Sequence, residues 1–556
     1  MPKKELLLLL NADRPFLKDI KRAALDSYTP RYAKPPGPER NSLLRLVSAI
    51  AVFSLGLTVG AWIWMAVRDD GTGPEDLVIP QPTPSPIPIS TPPSMPVATP
   101  IPVQTPTPIV PTYQGWVDPD SVGQPWGSTV NGLLTFRGNP TRTYYGEGPI
   151  PQDPTVKWSY PRNLNMCGST TLGGESEQWC GTGWTGQPAV FSYDEQPWVV
   201  FGALDGAVHF VNAETGEPLL NPYQTEDIIK GSVTIDPDGF PLAYIGSRDD
   251  KLRVLAFDRD EPVELWNLDA DTVPGKLWNN DWDGAPLIID DYMFEGGENS
   301  IFHIVKLNRS YDSQGLATVD PELIVTVPGY DDDLLFTVGS NVSIENSVAI
   351  SGNTVYFANS GGLVQGWDIT DLEVGAEPVR TFRYWVGDDV DASIVIDAEG
   401  FLYVGVEYER GFSRSFEVGQ MIKLDPRNPE DPLVWSVFDT AQLPDGVWAT
   451  PALYQDIVIA ATDSARMIGI DKETGDIRWE FFLPGPLWSS PVVVDDVLIQ
   501  ADCAGNVTAF DISDTSIKPP EIWDVYIGGC IESTPAVWDG KIIVGSRDGQ
   551  VHMVAD

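Results

Sequence analysis

Residues 448–482 read WATPALYQDIVIAATDSARMIGIDKETGDIRWEFF. Four short apolar and β-branched runs, near 450–454, 457–461, 466–470 and 477–482, are parted by turn residues, the signature of four strands in a meander. The last turn, DKETGDIRW, puts Gly475 in a hairpin and Trp479 on the outer strand, where its indole can pack against a neighbouring sheet. Such a unit leaves one face bare and cannot stand alone.

The opening of this unit recurs along the chain: WTGQPAV at 184, KGSVTI at 230, WDGAPLI at 282, ENSVAI at 345, DASIVI at 391, WATPAL at 448, WSSPVV at 488 and ESTPAV at 532. The starts lie roughly 40 to 60 residues apart, a spacing that suggests four strands per unit in a radial array. The last unit reaches Asp556 after only three strands, and TVKWSY at 155–160 is available as its fourth. Eight openings and this closure predict an all-β, eight-bladed β-propeller over 155–556, entered through a docking segment at 113–154.

The blade phrases GIDKETGDIRWEF, VTAFDISD and GSRDGQVHMV resemble the docking repeat, Ala-x-Asp-x-x-x-Gly-x-x-x-Trp, of the propellers named for pyrroloquinoline quinone. That family includes quinoprotein alcohol dehydrogenases and a non-catalytic propeller of the bacterial outer-membrane assembly machine. Blade one, NAETGEPLL, departs from the repeat by lacking the Trp. The resemblance implies the fold; for function it implies less, because the repeat is a packing device.

The chain of 556 residues carries a formal charge of −44, unevenly distributed. Residues 1–45 hold ten Lys/Arg and five Asp/Glu, whereas residues 113–556 hold 24 Lys/Arg against 70 Asp/Glu. So acidic a body repels nucleic acid and anionic lipid, and neither is expected as its partner. The 22 residues 46–67, LVSAIAVFSLGLTVGAWIWMAV, carry no charge and are long enough for one transmembrane helix. Bulky Trp62, Trp64 and Met65 stand where a signal peptide would need small residues for cleavage. The basic flank predicts a cytoplasmic tail at 1–45 and an extracytoplasmic propeller in the cell membrane. Residues 68–112 form a Pro-rich stalk, with 14 Pro between Pro74 and Pro111. As extended polyproline II it would span roughly 120 Å.

Four Cys in an extracytoplasmic body predict two disulfides. In a meander, the turn between strands two and three shares a face with the start of strand one. Cys503 in blade seven therefore neighbours Cys530 before blade eight, and Cys167 with Cys180 closes the segment before blade one. On that face the repeat opening presents a ring: Thr185, Lys230, Asp283, Glu345, Asp391, Trp448, Trp488 and Glu532. Asp283, Glu345 and Asp391 are metal candidates with calcium as the suited ion. Lys230, Trp448, Trp488 and Glu532 are ligand-binding candidates. The resemblance would put a calcium ligand, a carboxylate base and a stacking Trp of a dehydrogenase on Glu345, Asp391 and Trp448 or Trp488.

The family's adjacent-Cys disulfide and a Cys-x-x-Cys-His haem site are both missing, so pyrroloquinoline quinone is not expected. His209 and His552 share a repeat position and read as packed residues, and Asp331–Asp333 as a solvated loop tip. The expected function is a non-catalytic binding or scaffold module for an extracytoplasmic protein, a cell-wall polymer or a small ligand. A calcium- and quinone-dependent dehydrogenase is the alternative.

Overall fold

The computed structural model describes residues 113–556 apart from 128, 173–174, 184–185 and 440–444. The tail, the apolar run and the stalk predicted at 1–45, 46–67 and 68–112 lie outside the described residues. Among the described residues no helix is long and apolar enough to cross a membrane.

Among the described residues, eight sheets of mainly antiparallel strands follow one another in chain order. Blade six has strands Ala452–Tyr454, Ile457–Ala461, Arg466–Asp471 and Ile477–Phe482, close to the positions read from the sequence. Ile457–Ala461 is buried along its whole length because neighbouring blades cover both of its faces; Ile477–Phe482, at the outer edge, alternates buried and exposed.

The last blade takes its fourth strand from before the first. Thr155–Tyr160 pairs antiparallel with Val551–Ala555, from Thr155 opposite Ala555 to Tyr160 opposite Val551. Trp158 on that strand is buried and donates its indole N–H to the Ala213 carbonyl of blade one at 3.0 Å. Trp435 of blade five likewise donates to the Lys472 carbonyl of blade six at 3.1 Å, with its ring over Gly475. Gly475 has φ +79°, and a Cβ there would lie 2.7 Å from the Trp435 ring. The Gly and Trp of the repeat thus dock successive blades: a bare backbone in one blade receives the indole of the blade before.

The repeat opening has its own task. The hydroxyl two residues before an inner strand accepts the backbone N–H at the same position of the preceding blade: Gln187 to Ser232, Ala285 to Ser347, Ser347 to Ser393, Ser393 to Thr450, Thr450 to Ser490 and Ser490 to Thr534. This belt satisfies buried backbone donors where no strand reaches.

Residues 113–154 also make contacts within the propeller. Val117 bridges Gly352 on the face opposite the ring, and Trp116 packs edge-on against Tyr292 and Phe294 there. Gly132–Leu133 then adds to blade one, and Gly146–Glu147 pairs in parallel with Ala536–Trp538 of blade eight. Between them, the carbonyls of Leu134, Pro140 and Thr141 accept from Ile235, Ile350 and Ile396, on the inner strands of blades two, four and five. The Tyr145 hydroxyl accepts from the Leu453 N–H of blade six at 2.7 Å. The segment is a plug in the central channel.

Its two arginines are fully buried. Arg137 donates to the carbonyls of Pro451 and Pro491 and lies 4.3 Å from the Tyr145 ring centroid. Arg142 donates to Val348 O at 2.9 and 2.6 Å and to Phe136 O at 2.8 Å.

Candidate functional site

Lys230, Asp283, Glu345, Asp391, Trp448, Trp488 and Glu532 each stand four residues before the first residue of an inner strand, so the meander delivers all of them to one mouth of the channel. Thr185 lies outside the described residues. The plug closes the opposite end, and Phe136 from it lines a pocket with Glu345, Asp391, Trp448 and Trp488.

The three metal candidates do not form one group. The Lys230 ammonium sits among Asp281, Asp283 and Glu298, with Nζ 3.0, 2.6 and 3.1 Å from their carboxylate oxygens. Arg248 adds a contact of 3.3 Å to Asp281. Burial opposes the charge on Lys230, but Asp281, Asp283 and Glu298 outweigh it and hold the ammonium well above its ordinary pKa. Asp283 is therefore engaged by an internal cation.

Asp391 instead meets Asp389 and Glu407, all three offering oxygens within 4.8 Å of one another. Trp448 donates its indole N–H to Asp391 at 2.9 Å, and Trp488 donates to Asp463. The two indoles meet edge-on, with centroids 5.0 Å apart and planes at 77°. Glu345 reaches toward the group and accepts from Ser343 at 2.6 Å and Ser360 at 3.0 Å. Arg410 approaches Asp389 at 3.4 Å. Burial, with the charge of Glu345, drives the Asp391 carboxyl well above the usual carboxylate range, and burial pushes Asp389 up to about 8.

Stability should follow from this with an unusual sign. Between about pH 4 and 8 native Asp389 keeps a proton that the unfolded chain has lost, so this group makes stability fall as pH rises through that window and level off above it. Thermal midpoints across that range should decline less steeply in Asp389→Asn. Equal slopes would contradict the assignment.

Glu532 is buried and paired with Arg547 at 3.3 Å, and the Arg547 guanidinium lies 5.2 Å from the Trp179 ring centroid. The disulfides are Cys167–Cys180, across the hairpin Cys167–Leu172 and Glu175–Cys180, and Cys503–Cys530 between adjacent blades. His552 bridges Ser159 at 2.8 Å and Asp548 at 3.1 Å, and His209 bridges Tyr160 and Asp205, each tying a turn to an outer strand. The Asp331–Asp333 segment is no loop tip: Asp331 caps the helix Asp332–Val338 and pairs with Arg380 and Arg383.

A quinone does not suit these residues: the Trp448 N–H is committed to Asp391, its ring meets Trp488 edge-on, and no disulfide joins adjacent cysteines. A hard cation suits the all-oxygen donor set of Asp389, Asp391 and Glu407. Asp281, Glu298, Asp389 and Glu407 were not singled out from the sequence. Their signal is a pair of Asp-x-Asp openings, 281–283 and 389–391, each followed by Gly-x-Glu at 296–298 and 405–407.

Residues 419–555 match the family model of the outer membrane protein assembly factor BamB. No curated protein matches the chain. Among solved structures, BamB from Moraxella catarrhalis is similar at 16% identity and a TM-score of 0.48, covering 70% of this chain and 98% of that one. The computationally designed Ika8 protein aligns at 14% and 0.47, covering 67% and 96%. Quinohemoprotein alcohol dehydrogenase from Comamonas testosteroni aligns at 12% and 0.48, covering 76% and 80%. The eight blades themselves rest on the strand pairings above. The chain thus carries an eight-bladed propeller in which residues 419–555 match a pyrroloquinoline-quinone-repeat family model.

Proposed function

We propose that this is a non-catalytic binding module, anchored in the membrane by residues 46–67 and displayed outside it on the stalk, which takes an extracytoplasmic protein at the open mouth of its propeller. The observation that carries the reading is the one-ended channel. Residues 132–147 occupy its far end, while towards the other end lies a pocket lined by the half-buried carboxylates of Glu345 and Asp391 and by Trp448 and Trp488. The loops around that mouth on blades two to five expose Trp278, Phe336 and Phe416, at 50%, 94% and 52%, apolar surface of the kind protein partners cover. The match to an assembly-factor model favours a protein over a wall polymer.

A photoreactive residue placed at Phe336, on the mouth face, should crosslink a discrete partner in intact cells. The same residue at Val374, 82% exposed on a turn of the opposite face, should not. Equal labelling from both positions, or none from Phe336, would contradict the reading. Protease added to intact cells should release a fragment beginning in or after the stalk; a propeller protected until lysis would reverse the proposed orientation.

A further inference from the structure

The face opposite the mouth carries a cavity of its own. Residues 123–125 before the plug, residues 143–148 where the plug leaves the channel, and the blade-seven hairpin at 493–495 enclose about 380 Å³. Cavities of this size hold small organic molecules. The walls combine buried Tyr144, Tyr145, Val493 and Val494 with exposed Glu147 and Asp495. Both charged groups that line it are therefore carboxylates.

Asp495 stands in the tight hairpin between strands Val492–Val494 and Val497–Ala501, with φ +50°. The same hairpin carries carboxylates in other blades, and there cations meet them: Asp238 and Asp291 share Arg309, Glu399 has Lys472, Asp456 has Arg478 and Asp539 has Lys541. Asp495 and Glu147 have no ion pair among the described residues. Gly148 sets them side by side, because a Cβ there would collide with Oδ2 of Asp495. Tyr144 is only 8% exposed and lines the cavity, yet its hydroxyl has no hydrogen-bond partner among the described residues. Burial, with the charge of Glu147, pushes that hydroxyl up to about 12, so it keeps its proton at neutral pH. A polar group buried without a partner costs stability, and a ligand that supplies one recovers it.

We propose that this cavity binds a small primary amine, its ammonium held by Glu147, Asp495 and Tyr144 and its hydrocarbon body set against Tyr145, Val493 and Val494. A primary ammonium has three N–H donors and no acceptor, which two carboxylates and a phenol oxygen match. The apolar walls suit methylene groups, and the space exceeds what a bare ion fills. A calcium ion would need six to eight oxygens, more than these three side chains offer in a compact shell. The site goes beyond the binding role of the mouth and lies on the other face of the molecule.

Calorimetry on the full chain in a non-ionic detergent at physiological salt tests the assignment with three probes: cadaverine, choline, which has a charge but no N–H, and calcium chloride. Cadaverine should bind at one site, and choline at least about tenfold more weakly. Tyr144→Phe removes only the unpartnered hydroxyl and should weaken cadaverine about tenfold without lowering the thermal midpoint. Asp495→Asn, at a backbone position that Asn tolerates, should do the same. Asp194→Asn is the control: Asp194 occupies the same hairpin in blade one, is exposed, and does not line the cavity, so affinity should not change. Equal binding of choline and cadaverine, or an equal loss in Asp194→Asn, would reduce the effect to diffuse charge and overturn the proposal. Calcium binding without cadaverine binding would overturn it in favour of a metal site, and binding of none of the three would reject it. Crosslinking from Phe336 reads the other face, so either result can fail without the other.

Discussion

Removing residues 155–160 should lower the thermal midpoint far more than removing six residues of the stalk. The deletion takes away the strand that pairs with Val551–Ala555 and the buried Trp158 that docks on blade one. Loss of a buried Trp alone costs about 3–5 kcal/mol, and here the hydrogen-bonded edge of Val551–Ala555 is exposed as well. A total above about 5 kcal/mol would consume most of the stability of an ordinary domain. Scanning calorimetry of the two deletions side by side decides the matter. Indistinguishable midpoints would mean that the ring is closed by other strands.

Replacing Arg142 by Met should cost about 3–5 kcal/mol, the penalty for removing one partner from a buried charged network. The carbonyls of Val348 and Phe136 lose their donors, and Glu295, whose buried carboxyl has Arg142 as its nearby opposite charge, is left uncompensated. Hydrogen exchange gives a second readout. The amides of Ile350 and Ile396, which donate to Pro140 and Thr141 of the plug, should exchange faster in the variant, while that of Ile457, inside blade six, should not. A loss below about 1 kcal/mol with unchanged exchange would show that the plug contributes little to the ring.

The blades were legible because each repeats the same packing problem. A hydroxyl for the belt, a Gly under an indole and a buried inner strand leave the same letters every time, as WATPAL and DKETGDIRW show. The closing strand could be found by counting, since blade eight lacks one, and the disulfides by asking which turns share a face. The plug left no such trace. Residues 132–147 contribute only Gly132–Leu133 and Gly146–Glu147 as strands, and their other bonds go one at a time to different blades, a pattern with no period. The ring was legible as a column, but not its pairing. Asp283 and Asp391 occupy equivalent positions, and what separates them is the neighbour before each, Lys230 or Glu345, together with Glu298 and Glu407 from a different turn. Reading the column across blades predicted a shared trio; the contacts run between adjacent blades and produce two carboxylate clusters, one around Lys230 and one beside Arg410.

The central claim is that this propeller binds through its mouth without carrying a redox cofactor. Native mass spectrometry of the full chain purified from its host tests it most directly. The account predicts the mass of the 60.8 kDa polypeptide with two disulfides and no stoichiometric organic adduct, and an absorbance spectrum with only the aromatic band. A stoichiometric quinone in that spectrum would contradict it.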